Sequence, residues 1–321
     1  VERQAVQTAF TSAGVSASFT DVADIAEVVT PSVVRVEVYR DGQTIGSGSG
    51  VIFRDDGHVI TNAHVVDDGD QFRVVMSDGE FIDADLVGTD SLTDIAVVRI
   101  TGAASSPFVP VTLGSTTALR AGEPAIAIGS PLRLLGGPTV TVGVVSALNR
   151  RLQSPKGDWL YDLVQTDAPI SPGSSGGALV DASGALVGIT TVIAVSDVGA
   201  EGLGFATPVE IAYEVALDLI EWGSAHHGLL GLRGEDADTH DLAPTGRPTG
   251  VKVRDIDPEG PAGQAGVQIG DLVLSLDAAP VEGMSDLVVG ARLLEPGSKA
   301  VLELYRDGGF LAITVVVGEL R

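Results

Sequence analysis

The chain has no cysteine among its 321 residues. That absence removes thiol nucleophiles, disulfide staples and cysteine-ligated metals, and it leaves the redox compartment open. Positive charge is also scarce. Lys and Arg total 19 against 43 Asp and Glu, a net −24, and only three of the bases are lysines (Lys156, Lys252, Lys299). The acidic excess is general: −17 up to residue 225 and −7 beyond it. Nucleic-acid binding draws on basic stripes that release counterions, so it is disfavoured, as is docking on anionic lipid. A lysine-poor acidic surface suits high salt, and biased genome composition explains it equally well. No apolar run reaches the ~18 residues of a membrane span. The chain opens on Val1 rather than Met, so a processed or trimmed form is expected, with any signal or anchor segment outside it.

What remains is ordinary for a folded soluble protein: 44% hydrophobic and 19% charged residues, enough chain for one to three domains. Residues 1–29 read as an arm ending in a short helix, "TDVADIAEVV" (20–29), with Val22, Ile25, Ala26 and Val29 on one face. From 30 to 207 the pattern is short β-branched runs broken by Gly, Asp and Pro. Examples are "VVRVEVY" (33–39), "GVIF" (50–53), "HVITN" (58–62), "FRVVM" (72–76), "IAVVRI" (95–100), "AIAIG" (125–129), "TVTVGVVSAL" (139–148) and "ALVGITTVIAV" (185–195). Such spacing predicts an all-β sandwich or barrel, without the helical periodicity of a parallel sheet. "PVEIAYEVALDLIEWG" (208–223) predicts a helix with Ile211, Val215, Leu219 and Trp222 on its buried face, and 208–225 is expected to link two domains. Residues 226–321 alternate strands with one helical stretch, "SDLVVGARLL" (285–294).

Chemistry concentrates in three stretches. There are five histidines, and His64 lies in "TNAHVV" (61–66), at a strand end. Asp94 lies in "SLTDIAVVRI" (91–100), and Ser175 in "SPGSSGGALV" (171–180). Amide hydrolysis through a serine takes a base for its proton, a carboxylate to orient that base and N–H donors for the oxyanion. A histidine, an aspartate and a serine among glycines, in that order on a β background, match this set far better than any one alone. Separately each has a bland reading: a packed histidine, a solvated strand end, a plain turn. "GSGSG" (46–50) is not a phosphate loop, because it precedes a strand instead of opening a helix. No metal-ligand spacing is present, and the His226-His227 pair reads as linker.

"DGHVITNAHVV" (56–66), "TDSLTDIAVVRI" (89–100), "AIGSPLRLLGGPTVTVGVVSALNR" (127–150), "QTDAPISPGSSGGALVDASGALVGI" (165–189) and "GLGFATP" (202–208) together resemble the HtrA/DegP family of serine proteases. The resemblance spans roughly residues 20–321. It implies a mostly β fold: a chymotrypsin-like pair of six-stranded barrels, about 30–105 and 110–207, followed by an α+β PDZ domain at 226–321. His64 would be the general base, Asp94 its orienter and Ser175 the nucleophile. The oxyanion hole would come from Gly173, Ser174 and Ser175, with the Gly173 and Ser175 N–H groups as its donors. The family usually carries Asn where Ser171 and Ser174 stand, which bears on loop rigidity rather than on the triad. Pro169 stands where trypsin-like relatives have an acidic pocket floor. Thr190, Thr191, Val192 and Ile193 are then expected to line the substrate strand and pocket, favouring cleavage after small or medium apolar residues.

"HGLLGLRGED" (227–236) and residues 257–308 resemble an HtrA-type PDZ domain. Leu229, Leu230, Gly231 and Leu232 would cup a C-terminal carboxylate, and Leu230, Leu232 and Leu287 would line an apolar side-chain pocket, unless they are simply core. The resemblance implies ATP-independent cleavage of unfolded proteins outside the cytoplasm, with peptide capture regulating activity and no cofactor. It also implies a homotrimer or higher oligomer, to which Phe10 and Phe19 would contribute. A holdase or PDZ scaffold with a mostly inactive protease domain is the alternative.

Overall fold

Alternating valines build the first barrel. In β1 (Val33–Arg40), Val34, Val36 and Val38 share a core with Ile52, Val59, Val74, Ile82, Ala96 and Val98, as the two-residue period of a strand dictates. The ring runs from β1 through β2 (Gln43–Ile52), β3 (His58–Thr61), β6 (Ile95–Ile100), β5 (Phe81–Asp90) and β4 (Gln71–Val75), and closes back on β1. A second ring of six contains β7 (Pro124–Gly129), β8 (Thr139–Gln153), β9 (Trp159–Thr166), β12 (Gly204–Pro208), β11 (Leu186–Ile193) and β10 (Ala178–Val180). Its interior holds Ala125, Ala127, Val145, Val164, Leu179, Val187 and Ala206. The computed structural model of the chain describes residues 22–130, 137–154, 159–193, 203–238, 246 and 249–320; Phe10 and Phe19 lie outside them. The expected double six-stranded architecture is present.

The short helix α1 (Val22–Val29) precedes β1. After β12 the chain forms α3 (Val209–Trp222), with Ile211, Ala212, Val215, Ala216 and Leu219 buried; the intervening α2 (Ala63–Val66) is a single turn after β3. Expected as a connector, α3 instead packs across β5, β6 and β11, within the first of two compact units, Val1–Ala225 and His226–Arg321. This explains why Ile95 and Val97, on the outer side of β6, are as buried as Ala96 and Val98 on its inner side. Glu210 ties the same helix to the inter-barrel connection, accepting from Ser115 Oγ at 2.8 Å, Thr116 N at 2.7 Å and Thr116 Oγ1 at 2.9 Å. Trp222, placed on the buried face by periodicity, is 60% exposed. The helix ends one residue later at Gly223, whose φ of +76° suits glycine.

The β2–β3 turn carries a His–carboxylate pair apart from the catalytic candidates. His58 is buried and its Nδ1 lies 2.7 Å from Asp56 Oδ1. Phe53 meets His58 edge-on and also meets Tyr213 of α3. Burial works against the Asp56 charge, but the His58 hydrogen bond, its charge and nearby Arg54 outweigh it and hold the carboxyl below its ordinary value. A depressed carboxyl contributes stability above its unfolded value of about 3.9 and loses it as pH falls through the folded value. Asp56→Asn is therefore expected to lower the melting temperature near neutrality and to converge with the parent below about pH 4, read from thermal melts across a pH series.

The second unit has a sheet in the order β14 (Leu232–Asp236), β15 (Val251–Ile256), β16 (Leu272–Leu276), β18 (Lys299–Arg306), β19 (Gly309–Val316), with β17 (Ala279–Pro280) on β16. A separate pair joins β13 (His227–Leu229) to β20 (Gly318–Leu320). Helices α4 (Pro261–Ala265) and α5 (Met284–Arg292) complete it. His227, read as linker, is buried and opposite Leu320 in β13. Among the described residues no helix is long and apolar enough to cross a membrane.

Candidate active site

His64 stands in α2 (Ala63–Val66), a single turn that starts where β3 ends. Asp94 occupies the β5–β6 turn, which Asp90 shapes by accepting from Thr93 N at 3.2 Å and Thr93 Oγ1 at 2.5 Å. The turn places Asp94 at φ +57°, a left-handed conformation that non-glycine residues hold only where their surroundings fix it. Here they do. The Asp94 carbonyl accepts from Ala63 N at 3.1 Å and Asn62 Nδ2 at 2.8 Å. Its Oδ1 accepts from His64 N at 3.0 Å, and its Oδ2 lies 2.7 Å from His64 Nδ1 and accepts from Thr191 Oγ1 at 2.6 Å. The carboxylate side chain is 13% exposed and the imidazole 42%. An acceptor at Nδ1 fixes the neutral ring's proton there and leaves the Nε2 lone pair free for a base's work.

Ser175 comes from the loop before β10. Gly173 and Gly176 sit at φ +92° and +86°, which glycine adopts freely. Within this loop the Ser174 N–H donates to Ser171 O (2.9 Å), Gly176 N–H to Thr190 O (2.7 Å) and Gly177 N–H to Ser174 O (2.9 Å). The Gly173 and Ser175 N–H groups have no acceptor among the described residues, the pattern of an oxyanion hole. Ser174 does not share in it, because its amide is already committed. The Ser175 hydroxyl donates to Thr191 O at 2.9 Å, and no hydrogen bond joins it to His64 among the described residues. His64 and Asp94 thus meet directly, and Thr191 stands between them and Ser175, its hydroxyl on the carboxylate and its carbonyl on the serine hydroxyl.

Two residues passed over in the sequence hold this arrangement. Ser49, in the "GSGSG" stretch of β2, is fully buried. Its N–H donates to Ser175 O at 2.7 Å and its Oγ to Gly173 O at 2.8 Å. That hydroxyl in turn accepts from Ser130 N, and Ser49 O accepts from Thr61 Oγ1. The approach is so close that a Cβ on Gly176 would lie 2.1 Å from Ser49 O. Alternate glycines on a strand signal such backbone contact. The other residue is Asn62, discussed below.

Thr191, expected on the pocket wall, is 1% exposed with its hydroxyl on Asp94. Thr190 is equally buried and donates to Ser174 O at 2.6 Å. With Pro169, Ser171 and Ser174 it borders a small, shallow recess. The strand bulges between Thr190 and Val192, which turns two successive threonines inward. Val192 and Ile193 lie in β11 opposite Phe205 and Gly204; their side chains are outside the described part.

Comparison with known proteins identifies both domains. Residues 48–189 match the trypsin-like peptidase domain and residues 228–317 the PDZ domain. A solved structure of the HtrA-type protease AlgW with a tripeptide is 33% identical, with a TM-score of 0.76 over 93% of this chain and 97% of its own. The chain belongs to the HtrA-type proteases. A solved serine endoprotease from Yersinia pestis shares 34% identity and a TM-score of 0.66, covering 96% of this chain and 100% of its own. The probable periplasmic serine endoprotease DegP-like of Pseudomonas savastanoi pv. phaseolicola is 39% identical over 284 residues, 88% of this chain and 57% of that protein. Serine protease PepD of Mycobacterium tuberculosis is 37% identical over 321 residues, 93% of this chain and 66% of its own. This HtrA-type chain therefore spans between about half and two thirds of the length of these curated relatives.

Its PDZ domain corrects part of the expected peptide pocket. Leu230 and Leu287 are 4% and 2% exposed and belong to the domain's core, against which Leu232 packs half-buried. Leu229 is half-buried in β13, opposite Gly318. The turn between β13 and β14 is shaped by main-chain bonds. Gly231 sits at φ +72°, and the Leu230 and Gly231 carbonyls are taken by Ala262 N at 2.8 Å and Asp257 N at 3.0 Å. Their N–H groups have no acceptor among the described residues. β14 is a sheet edge, with α5 alongside it.

Proposed function

We propose that the chain is an ATP-independent serine endopeptidase that cleaves unfolded or misfolded proteins outside the cytoplasm after small or medium apolar residues. The observation that carries it is the His64–Asp94 pair, 2.7 Å apart, beside a serine loop with two uncommitted amides. Ser175 turns its hydroxyl from Thr191 O to His64 Nε2 and attacks the substrate carbonyl as His64 takes its proton. The Gly173 and Ser175 N–H groups receive the oxyanion, a donor of this kind being worth about 10²–10³ in turnover. His64 then protonates the leaving amine, and a water activated by the same ring releases the acyl group. Asp94 holds the tautomer and stabilises the imidazolium. Unfolded substrate is required because the cleft accepts an extended strand. An extracytoplasmic site of action is supported by the relatives named periplasmic.

A second reading, a holdase or PDZ scaffold, draws on the Ser175 hydroxyl being bonded to Thr191 O rather than to His64. Incubation with an unfolded, casein-like substrate separates the two, with Ser175→Ala as control. Cleavage by the parent alone supports the peptidase, equal cleavage by both points to another nucleophile, and suppressed aggregation without cleavage supports the holdase.

The PDZ domain binds C-terminal apolar peptides at the β13–β14 turn and regulates cleavage in this proposal, in a homotrimer or larger assembly. Coupling between sites is commonly worth ~1–3 kcal/mol. Saturating amounts of such a peptide are therefore expected to raise the cleavage rate several-fold or more, and a rate flat across its binding range would refute the regulation.

A further inference from the structure

Asn62 is an odd residue for its position. Asparagine is among the best helix N-caps, and Asn62 is the N-cap of α2, yet its side chain makes no cap hydrogen bond. It is fully buried, and its Oδ1 has no hydrogen-bond partner among the described residues. A buried acceptor left unmatched costs stability, so neither helix capping nor packing accounts for an amide here. Its Nδ2 is fully used. It donates to Asp94 O at 2.8 Å and to Thr191 Oγ1 at 3.2 Å. The reverse amide orientation would set oxygen against the Asp94 carbonyl oxygen, so the donor's place is unambiguous.

We propose that Asn62 is a positioning residue that makes the Thr191 hydroxyl an obligatory donor to Asp94. This rests on the triad reading above. A hydroxyl has one proton. Because Asn62 donates into Thr191 Oγ1, that proton is directed to Asp94 Oδ2, 2.6 Å away. The carboxylate thus always meets two donors at Oδ2, Thr191 and the ring of His64, and one at Oδ1. His64 is the one titratable group bonded to Asp94 among the described residues; Ala63, Asn62 and Thr191 contribute neutral donors around it. Sharing the carboxylate's charge with Thr191 limits how strongly Asp94 favours the imidazolium over the neutral ring.

The test is the pH profile of kcat/KM on a quenched unfolded peptide, whose acid limb reports the free enzyme's base. Asn62→Ala releases the Thr191 hydroxyl. The acid limb is expected to rise by about one pH unit, with neutral-pH turnover down about tenfold, KM unchanged and the fold retained by circular dichroism. Thr191→Val, with Asn62 intact, is expected to move the limb by the same amount. On that background Asn62→Ala should add nothing, because the two act through one bond. A proportional loss at every pH, a rise in KM, additive effects, or a Thr191→Val limb that stays put would overturn the inference. Asp94→Asn is run alongside. If it keeps parental activity, the triad reading fails; if it is inactive while Asn62→Ala keeps the parental profile, this inference alone fails.

Discussion

Ser175→Ala is expected to lower turnover on an unfolded substrate by about 10⁶, since loss of one triad member commonly costs as much as loss of all three. The substitution is clean. The loop is held by main-chain bonds, Ser49 N to Ser175 O at 2.7 Å, Gly176 N to Thr190 O at 2.7 Å and Gly177 N to Ser174 O at 2.9 Å, all of which an alanine keeps. What it loses is one bond to Thr191 O, worth about 0.5–1.5 kcal/mol. Melting temperature should therefore barely move while the release of labelled fragments stops. A variant that cleaves at the parental rate would place the nucleophile elsewhere.

Asp94→Asn is expected to cost about 10⁴ in kcat, and here the backbone argument is as useful as the chemistry. Asparagine is, after glycine, among the residues that best tolerate the left-handed region, so φ +57° is kept. The side chain is another matter. Three donors converge on the carboxylate: His64 N, His64 Nδ1 and Thr191 Oγ1. An amide presents one acceptor and one donor end, so at least one of these meets N–H instead of oxygen. If that one is the imidazole, its proton moves to Nε2 and the ring can no longer receive the serine's. Retention of more than a tenth of the parental kcat, with intact circular dichroism, would remove Asp94 from the mechanism.

Much of this was legible in residue pattern. β1, β6 and β7 are β-branched runs whose bounds fall within a residue of those expected, and the His, Asp, Ser order points to the same three stretches of chain. What periodicity does not carry is the partner. Trp222 lies on the stripe of Ile211, Val215 and Leu219, but the stripe says which face is apolar, not where the opposing surface ends. β10 has three residues and β12 reads "GFATP", too short or too small-residued to show alternation. A regular strand would alternate Thr190 and Thr191 between its faces, and the bulge beside them that leaves both buried cannot be read from composition. The purpose of Ser49 lies in main chain 124 and 126 positions away, at Gly173 and Ser175, where no local pattern reaches. The Ser174 amide is likewise set by a main-chain bond, to Ser171 O, which residue type does not reveal.

His64 and Asp94 come from the first barrel and Ser175 from the second, a division that would leave attack distance at the mercy of any sliding between them. Ser49 alters that. It belongs to the barrel of the base, yet it grips the main chain on either side of Ser174. In the proposed mechanism, nucleophile and base are thus gauged from the same scaffold.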